Sequence, residues 1–119
     1  MIGKLGLIML IVKDMERSTQ VYRDMLGLKL MFQAPGWTQF DAGNIHLGLH
    51  PEGHWKTTPG SGCSFGFYVS DVRRAVEELK GKGVKIMVEP RQENFGWLAV
   101  ATDPDGYAIQ LGETNESLQ

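Results

Sequence analysis

Residues 12–32, VKDMERSTQVYRDMLGLKLMF, and residues 69–88, VSDVRRAVEELKGKGVKIMV, carry one design twice. Each opens on Val-x-Asp, passes through an amphipathic stretch and reaches a glycine followed by an apolar run. Val12 to Gly27 is 15 positions and Val69 to Gly83 is 14. Downstream, Gly36-Trp37 is echoed by Gly96-Trp97, and the turn Asp41-Ala42-Gly43-Asn44 by Asp103-Pro104-Asp105-Gly106. Asp14 and Asp71 stand 57 positions apart. This many landmarks in one order mark an internal duplication.

Each half reads as a strand, a helix and three strands. Leu5 to Val12 is a near-continuous apolar run, the pattern of a strand covered on both faces. It is too short for a membrane span of about 20 residues. It also runs into Lys13-Asp14-Met15-Glu16-Arg17 with no small-residue cleavage site, so it reads as a strand and not a signal peptide. Asp14 is placed to cap the following helix, whose apolar stripe is Met15, Val21, Tyr22, Met25 and Leu26, and Gly27 supplies the left-handed stop. Strands are expected at 28–34, 37–42 and 45–50, separated by Ala34-Pro35-Gly36 and the Gly43-Asn44 turn. In the second half a strand at 63–70 leads to the cap Asp71 and the stripe Val72, Ala75, Val76, Leu79, then strands at 84–89, 97–102 and 107–112. Residues 51–62, with their prolines, glycines and paired threonines, read as a linker between module one (about 1–50) and module two (about 63–113) of one domain.

Composition narrows the function classes. The 42% hydrophobic and 22% charged content is that of an ordinary soluble globular chain. A net charge of −2 provides no basic field for a phosphate backbone, so nucleic acid is not an expected partner, and neither is a membrane. The one cysteine, Cys63, excludes an internal disulfide framework and suits a reducing cytoplasm.

Paired βαβββ modules of this length, with Val12-x-Asp14, Tyr22-x-x-x-Leu26-Gly27 and Asp103-Pro104-Asp105-Gly106 in place, resemble the vicinal-oxygen-chelate superfamily of glyoxalases, extradiol dioxygenases and bleomycin-resistance proteins. The resemblance spans residues 5 to 112. It implies an α+β fold, a curved mixed sheet around a cleft, and commonly a homodimer. Family enzymes chelate a divalent metal with residues from several strands. Carried onto this chain, those positions are Leu7, Ser64 and Gln110, with Gly48 as the position where some members also ligate. None is a histidine or a carboxylate, and residues 1 to 12 hold no His, Asp, Glu or Cys in any register. Such side chains cannot hold a divalent ion. No metal and no cofactor are therefore expected.

The cleft that the resemblance implies is expected to bind a small molecule through Leu7, Met9, Trp37, His46, Gly48 and His50 of module one. Module two adds Ser64, Tyr68, Arg91, Trp97 and Gln110. His46 and His50 share the parity of Gly48, yet about 13 Å of extended backbone separates them, too far for one ion. His46 has three readings open to it: a polar rim residue, a substrate contact or proton carrier, or one ligand of an unusual metal site. Tyr68 is the second candidate for chemistry, through its hydroxyl. Trp37 and Trp97 are repeat-related aromatic walls or core residues, and Trp55 lies in the linker, where it could cross the opening. Arg91, in a loop expected at 90–96, is an anion anchor or a solvated arginine. His54 reads as solvated, Asp14, Asp71 and Asp103 as caps and turn formers, and Asp41 as a cleft or hairpin residue. Cys63 makes a poor nucleophile without a neighbouring base.

Three functions fit these residues. The first is a metal-independent small-molecule binder like the bleomycin-resistance branch. The second is a lyase, isomerase or dioxygenase-type enzyme with a rewired site, and the third a domain acting mainly through dimerisation.

Overall fold

The structure is a computed structural model describing residues 2–3, 5–53, 58–94 and 96–113. His54 and Trp55 lie outside the described residues. The chain divides into two compact units, Met1–Gly62 and Cys63–Gln119.

In the first unit, β1 (Leu7–Val12) is followed by α1 (Met15–Gln20), which continues as a π-helical stretch, Val21–Met25. Then come β2 (Lys29–Ala34), β3 (Trp37–Asp41) and β4 (His46–Pro51). The sheet runs β1-β4-β3-β2, with β1 parallel to β4 and the other pairs antiparallel. Asp14 ends β1 and starts α1, because its Oδ1 accepts the Arg17 amide at 3.0 Å. Gly27, at φ 78°, lets the chain leave the helix in the left-handed region. The helix buries Ser18, Thr19, Val21 and Tyr22, and Tyr22 packs on Phe40 of β3 with ring centroids 6.1 Å apart. That contact defines the helix-covered face, which also buries Leu10, Leu47 and Leu49.

The second unit repeats the order: β5 (Ser64–Val69), α2 (Val72–Gly81), β6 (Lys85–Glu93), β7 (Gly96–Thr102) and β8 (Ala108–Glu113). Its sheet runs β5-β8-β7-β6, with β5 parallel to β8. Both units are therefore βαβββ modules with mixed sheets, as the duplication predicts. Asp71 caps α2 by accepting the Arg74 amide at 3.1 Å, and Glu113 of β8 accepts the Val72 amide at 3.1 Å. The stripe Val72, Val76 and Leu79 is buried. Lys80 meets Glu89 of β6 at 2.7 Å, and this hydrogen bond holds the ammonium above the ordinary lysine range. Because Asp71 caps the first turn of α2, Asp71→Ala is expected to cost about 1 kcal/mol by urea denaturation, whereas Asp71→Asn, an equally good cap, should cost little. An Asp71→Ala variant as stable as the parent would remove the cap from the account.

Several elements depart from expectation. β1 begins at Leu7, not Leu5, and only Leu10, Ile11 and Val12 are buried. A strand at the end of its sheet does not need the whole apolar run covered. β6 extends to Glu93, so Arg91 lies in a strand and not in a loop. The strand accommodates Pro90 because β6 is an edge strand and its register shifts between Val88 and Arg91. Cys63, expected to open the strand at 63–70, precedes β5 and is half-buried, and β5 alternates exposed and half-buried residues.

Candidate functional site

Directly paired residues of neighbouring strands point to one side of a sheet. In the first unit Met9, Gly48 and Gln39 form one such row, and Leu7, His46 and Asp41 the next. Ile11 and His50 form a third row, and Trp37 joins this face two residues before Gln39. All six sequence-selected residues of module one therefore share the sheet face opposite α1. Leu7 is exposed, whereas Trp37, His46 and His50 are half-buried.

The indole of Trp37 lies across Gly48: a methyl group on Gly48 would overlap Cη2 and Cζ2 of the ring. Glycine is needed here for space, not for backbone freedom. From this position Trp37 Nε1–H donates to Gln39 Oε1 at 3.0 Å, and Gln39 Nε2 lies 3.1 Å from His46 Nδ1. The three side chains form a continuous polar chain along one face. Gln39 was not anticipated from sequence. A single glutamine carries no motif, although its i, i+2 relation to Trp37 on an alternating strand is the signal that could have found it. His50 is occupied differently, its Nδ1–H donating to the Pro51 carbonyl at 2.7 Å. Asp41 belongs to the hairpin, since its Oδ1 accepts the Gly43 amide at 2.9 Å.

In the second unit Ser64, Gly66 and Tyr68 alternate on β5, and Gly66 pairs with Gln110. These residues share the face opposite α2, and Ser64, Tyr68 and Gln110 are exposed. A Cβ on Gly66 would stand 2.9 Å from both the Cβ and the carbonyl oxygen of Gln110, so this glycine lets β5 and β8 approach. Arg91 pairs with Leu98 on the same face, but its guanidinium is already held by Glu93 at 2.7 Å. Asp103 is a turn former: its Oδ1 accepts the amides of Asp105 and Tyr107, each at 2.9 Å.

Trp97 departs from the expected arrangement. Gln39 stands opposite Gly48, and the residue opposite Gln110 is Val100, so the structural counterpart of Trp37 is Leu98. Trp97 is one residue away, which in a strand means the other face. There it packs beneath α2, with Arg73 Cζ 4.4 Å from the ring centroid. The sequence echo of Gly36-Trp37 in Gly96-Trp97 is thus offset by one position in the sheet.

The four positions to which the resemblance assigns metal ligands hold Leu7 and Gly48 on the first sheet and Ser64 and Gln110 on the second. The Gly48 position is covered by an indole. Among the described residues no three His, Cys, Asp or Glu side chains are grouped closely enough to hold an ion. These residues do not fit a divalent metal. A separate pocket of about 590 Å³ lies at α1 and the β2–β3 turn, lined by Lys13, Glu16, Thr19 and Thr38. Its lining includes none of the sequence-selected site residues.

Comparison with known proteins agrees with this architecture. TnmS3, an antibiotic binding protein from Streptomyces sp. CB03234, superposes with a TM-score of 0.83 at 26% identity, covering 96% of this chain and 98% of its own. A probable chloroplastic lactoylglutathione lyase of Arabidopsis thaliana is 34% identical over 90% of this chain, which spans only 35% of that protein. A probable lactoylglutathione lyase of Synechocystis sp. is 29% identical over 90% of this chain and 92% of its own length. The model of the Glyoxalase/Bleomycin resistance protein/Dioxygenase superfamily matches residues 4–111, and the chain belongs to that superfamily.

Proposed function

We propose that this chain binds a small, flat or amphipathic molecule on the open face of its first sheet, without a divalent metal. The observation that carries this reading is the Trp37 indole lying over Gly48, at one of the positions where a metal ligand would stand. An aromatic surface with a few fixed polar groups beside it is the ordinary chemistry of a small-molecule site. The likeness to an antibiotic binding protein supports the same reading. In this reading the chain works as a homodimer in the cytoplasm, and light scattering that gave a monomer at micromolar concentration would remove that part.

A second reading, an enzyme with a rewired site, is favoured by the relatives named lactoylglutathione lyase and by His46. Its Nε2 has no partner among the described residues.

Fluorescence separates the binding reading from its failure. Titration with the planar probe 8-anilinonaphthalene-1-sulfonate is expected to quench tryptophan emission. Trp37→Phe should abolish most of the response, while Trp97→Phe, on the opposite face of its own sheet, should leave it. Equal loss from both variants would count against a site at Trp37. Elemental analysis of chelator-free protein should find zinc, nickel, iron and manganese far below one per chain. A stoichiometric metal would overturn the metal-free reading, and lyase turnover abolished by His46→Ala would replace it with the second.

A further inference from the structure

We infer that His46 is held in a single tautomer that presents Nε2–H as a hydrogen-bond donor, and that the site therefore selects flat ligands bearing a ring carbonyl or similar acceptor. The inference deepens the binding reading and rests on it for the location of the ligand.

The chain of reasoning starts at Trp37. An indole nitrogen can only donate, so the atom of Gln39 that meets it at 3.0 Å must be the amide oxygen. The other end of the same amide is then the NH2 group, which can only donate. It lies 3.1 Å from His46 Nδ1, so Nδ1 must accept. A ring nitrogen that accepts carries no hydrogen, and in a neutral imidazole the proton is then on Nε2. Three residues on one sheet face thus fix a proton position through two hydrogen bonds, with Trp37 setting the direction. Trp37 and Gln39 are positioning residues; His46 is the group that would touch ligand.

The contrast with His50 sharpens the assignment. Its Nδ1 faces the Pro51 carbonyl at 2.7 Å, an oxygen that can only accept, so Nδ1 there must carry hydrogen. Two histidines on one strand and one face are held with Nδ1 in opposite roles. Because Nδ1 accepts from the Gln39 amide, the ring offers a single N–H at Nε2, which suits a carbonyl acceptor on a flat ligand. The indole supplies the flat surface, and a donor near its edge fixes the orientation of a ring laid on it.

Two measurements on the full chain test this. At about pH 9, where imidazoles are ordinarily neutral, long-range 15N–1H correlation spectra of ligand-free protein should show His46 as the Nε2–H tautomer. Gln39→Glu, whose carboxylate can only accept, should reverse it to Nδ1–H, and Gln39→Leu should give a mixture. Parent protein with Nδ1–H or a mixture at His46 would overturn the inference whatever ligands bind.

The second measurement is equilibrium dialysis with 9-fluorenone and fluorene, planar probes of nearly one shape that differ by a ring carbonyl. Fluorenone should bind roughly five- to tenfold more tightly, the worth of one well-placed hydrogen bond. The ratio should fall to about one in His46→Phe. Equal binding of both probes to the parent would sink the acceptor preference while leaving the flat-ligand reading intact. If neither probe binds, both are lost.

Discussion

Phe40→Ala is expected to cost about 3–5 kcal/mol of stability, the range for removing a fully buried aromatic ring from a core. Phe40 is 0% exposed and sits at the centre of the first sheet, opposite Leu30 on one side and Leu47 on the other. Tyr22, itself 0% exposed, lies against it at 6.1 Å, tilted by 45°. Its removal would leave the helix with no large partner on β3. Since single domains are stable by only about 5–15 kcal/mol, this variant should lose a large share of the total. Urea denaturation with an unchanged m-value would place the loss in the native packing. Phe40→Leu should cost markedly less, because it fills part of the hole. A loss below about 1 kcal/mol for Phe40→Ala would mean that the first unit is not built around this contact.

Gly48→Ala is expected to be damaging out of proportion to one methyl group. Overpacking of this kind costs about 1–3 kcal/mol, and here the group that must give way is the Trp37 indole. Moving the ring breaks its bond to Gln39 and with it the tether on His46. Stability and ligand response should therefore fall together, with probe quenching reduced to the level of Trp37→Phe. Trp37→Ala removes the obstruction, so Gly48→Ala should cost almost nothing further in that background, a coupling of about 1–3 kcal/mol in a double-mutant cycle. Unchanged tryptophan emission and probe binding in Gly48→Ala would show that the indole does not lie where the site requires it.

The architecture was readable from sequence because it is written twice. Val12-x-Asp14 and Val69-x-Asp71 each announce a strand end and a helix cap, and both caps are made by the predicted carboxylates. Gly27 and Gly83 mark the helix exits with positive φ, at 78° and 89°. The face of the first sheet opposite α1 was also legible, since strand parity alone groups His46, Gly48 and His50. Parity failed where insertions and bulges intervene. Trp97 was aligned to Trp37 by its Gly-Trp context, but a one-residue offset in pairing turns it toward α2. Arg91 was expected in a loop at 90–96, but β6, an irregular edge strand, runs on through Pro90 to Glu93. Gln39 could not be singled out, because its role depends on what its two neighbours can donate and accept, and hydrogen-bond direction has no sequence pattern.

Pro90 has one more consequence. β6 is nine residues long and lies at the outer edge of its sheet, where an extended chain from another molecule would find free amides and carbonyls to bind. Proline offers no amide hydrogen, and the register break from Val88 to Arg91 bends the strand at the same place. A would-be template is thereby cut into two short pieces, neither long enough to recruit a strand in register. The longest edge strand of the two sheets thus carries its own interruption against the addition of a further strand.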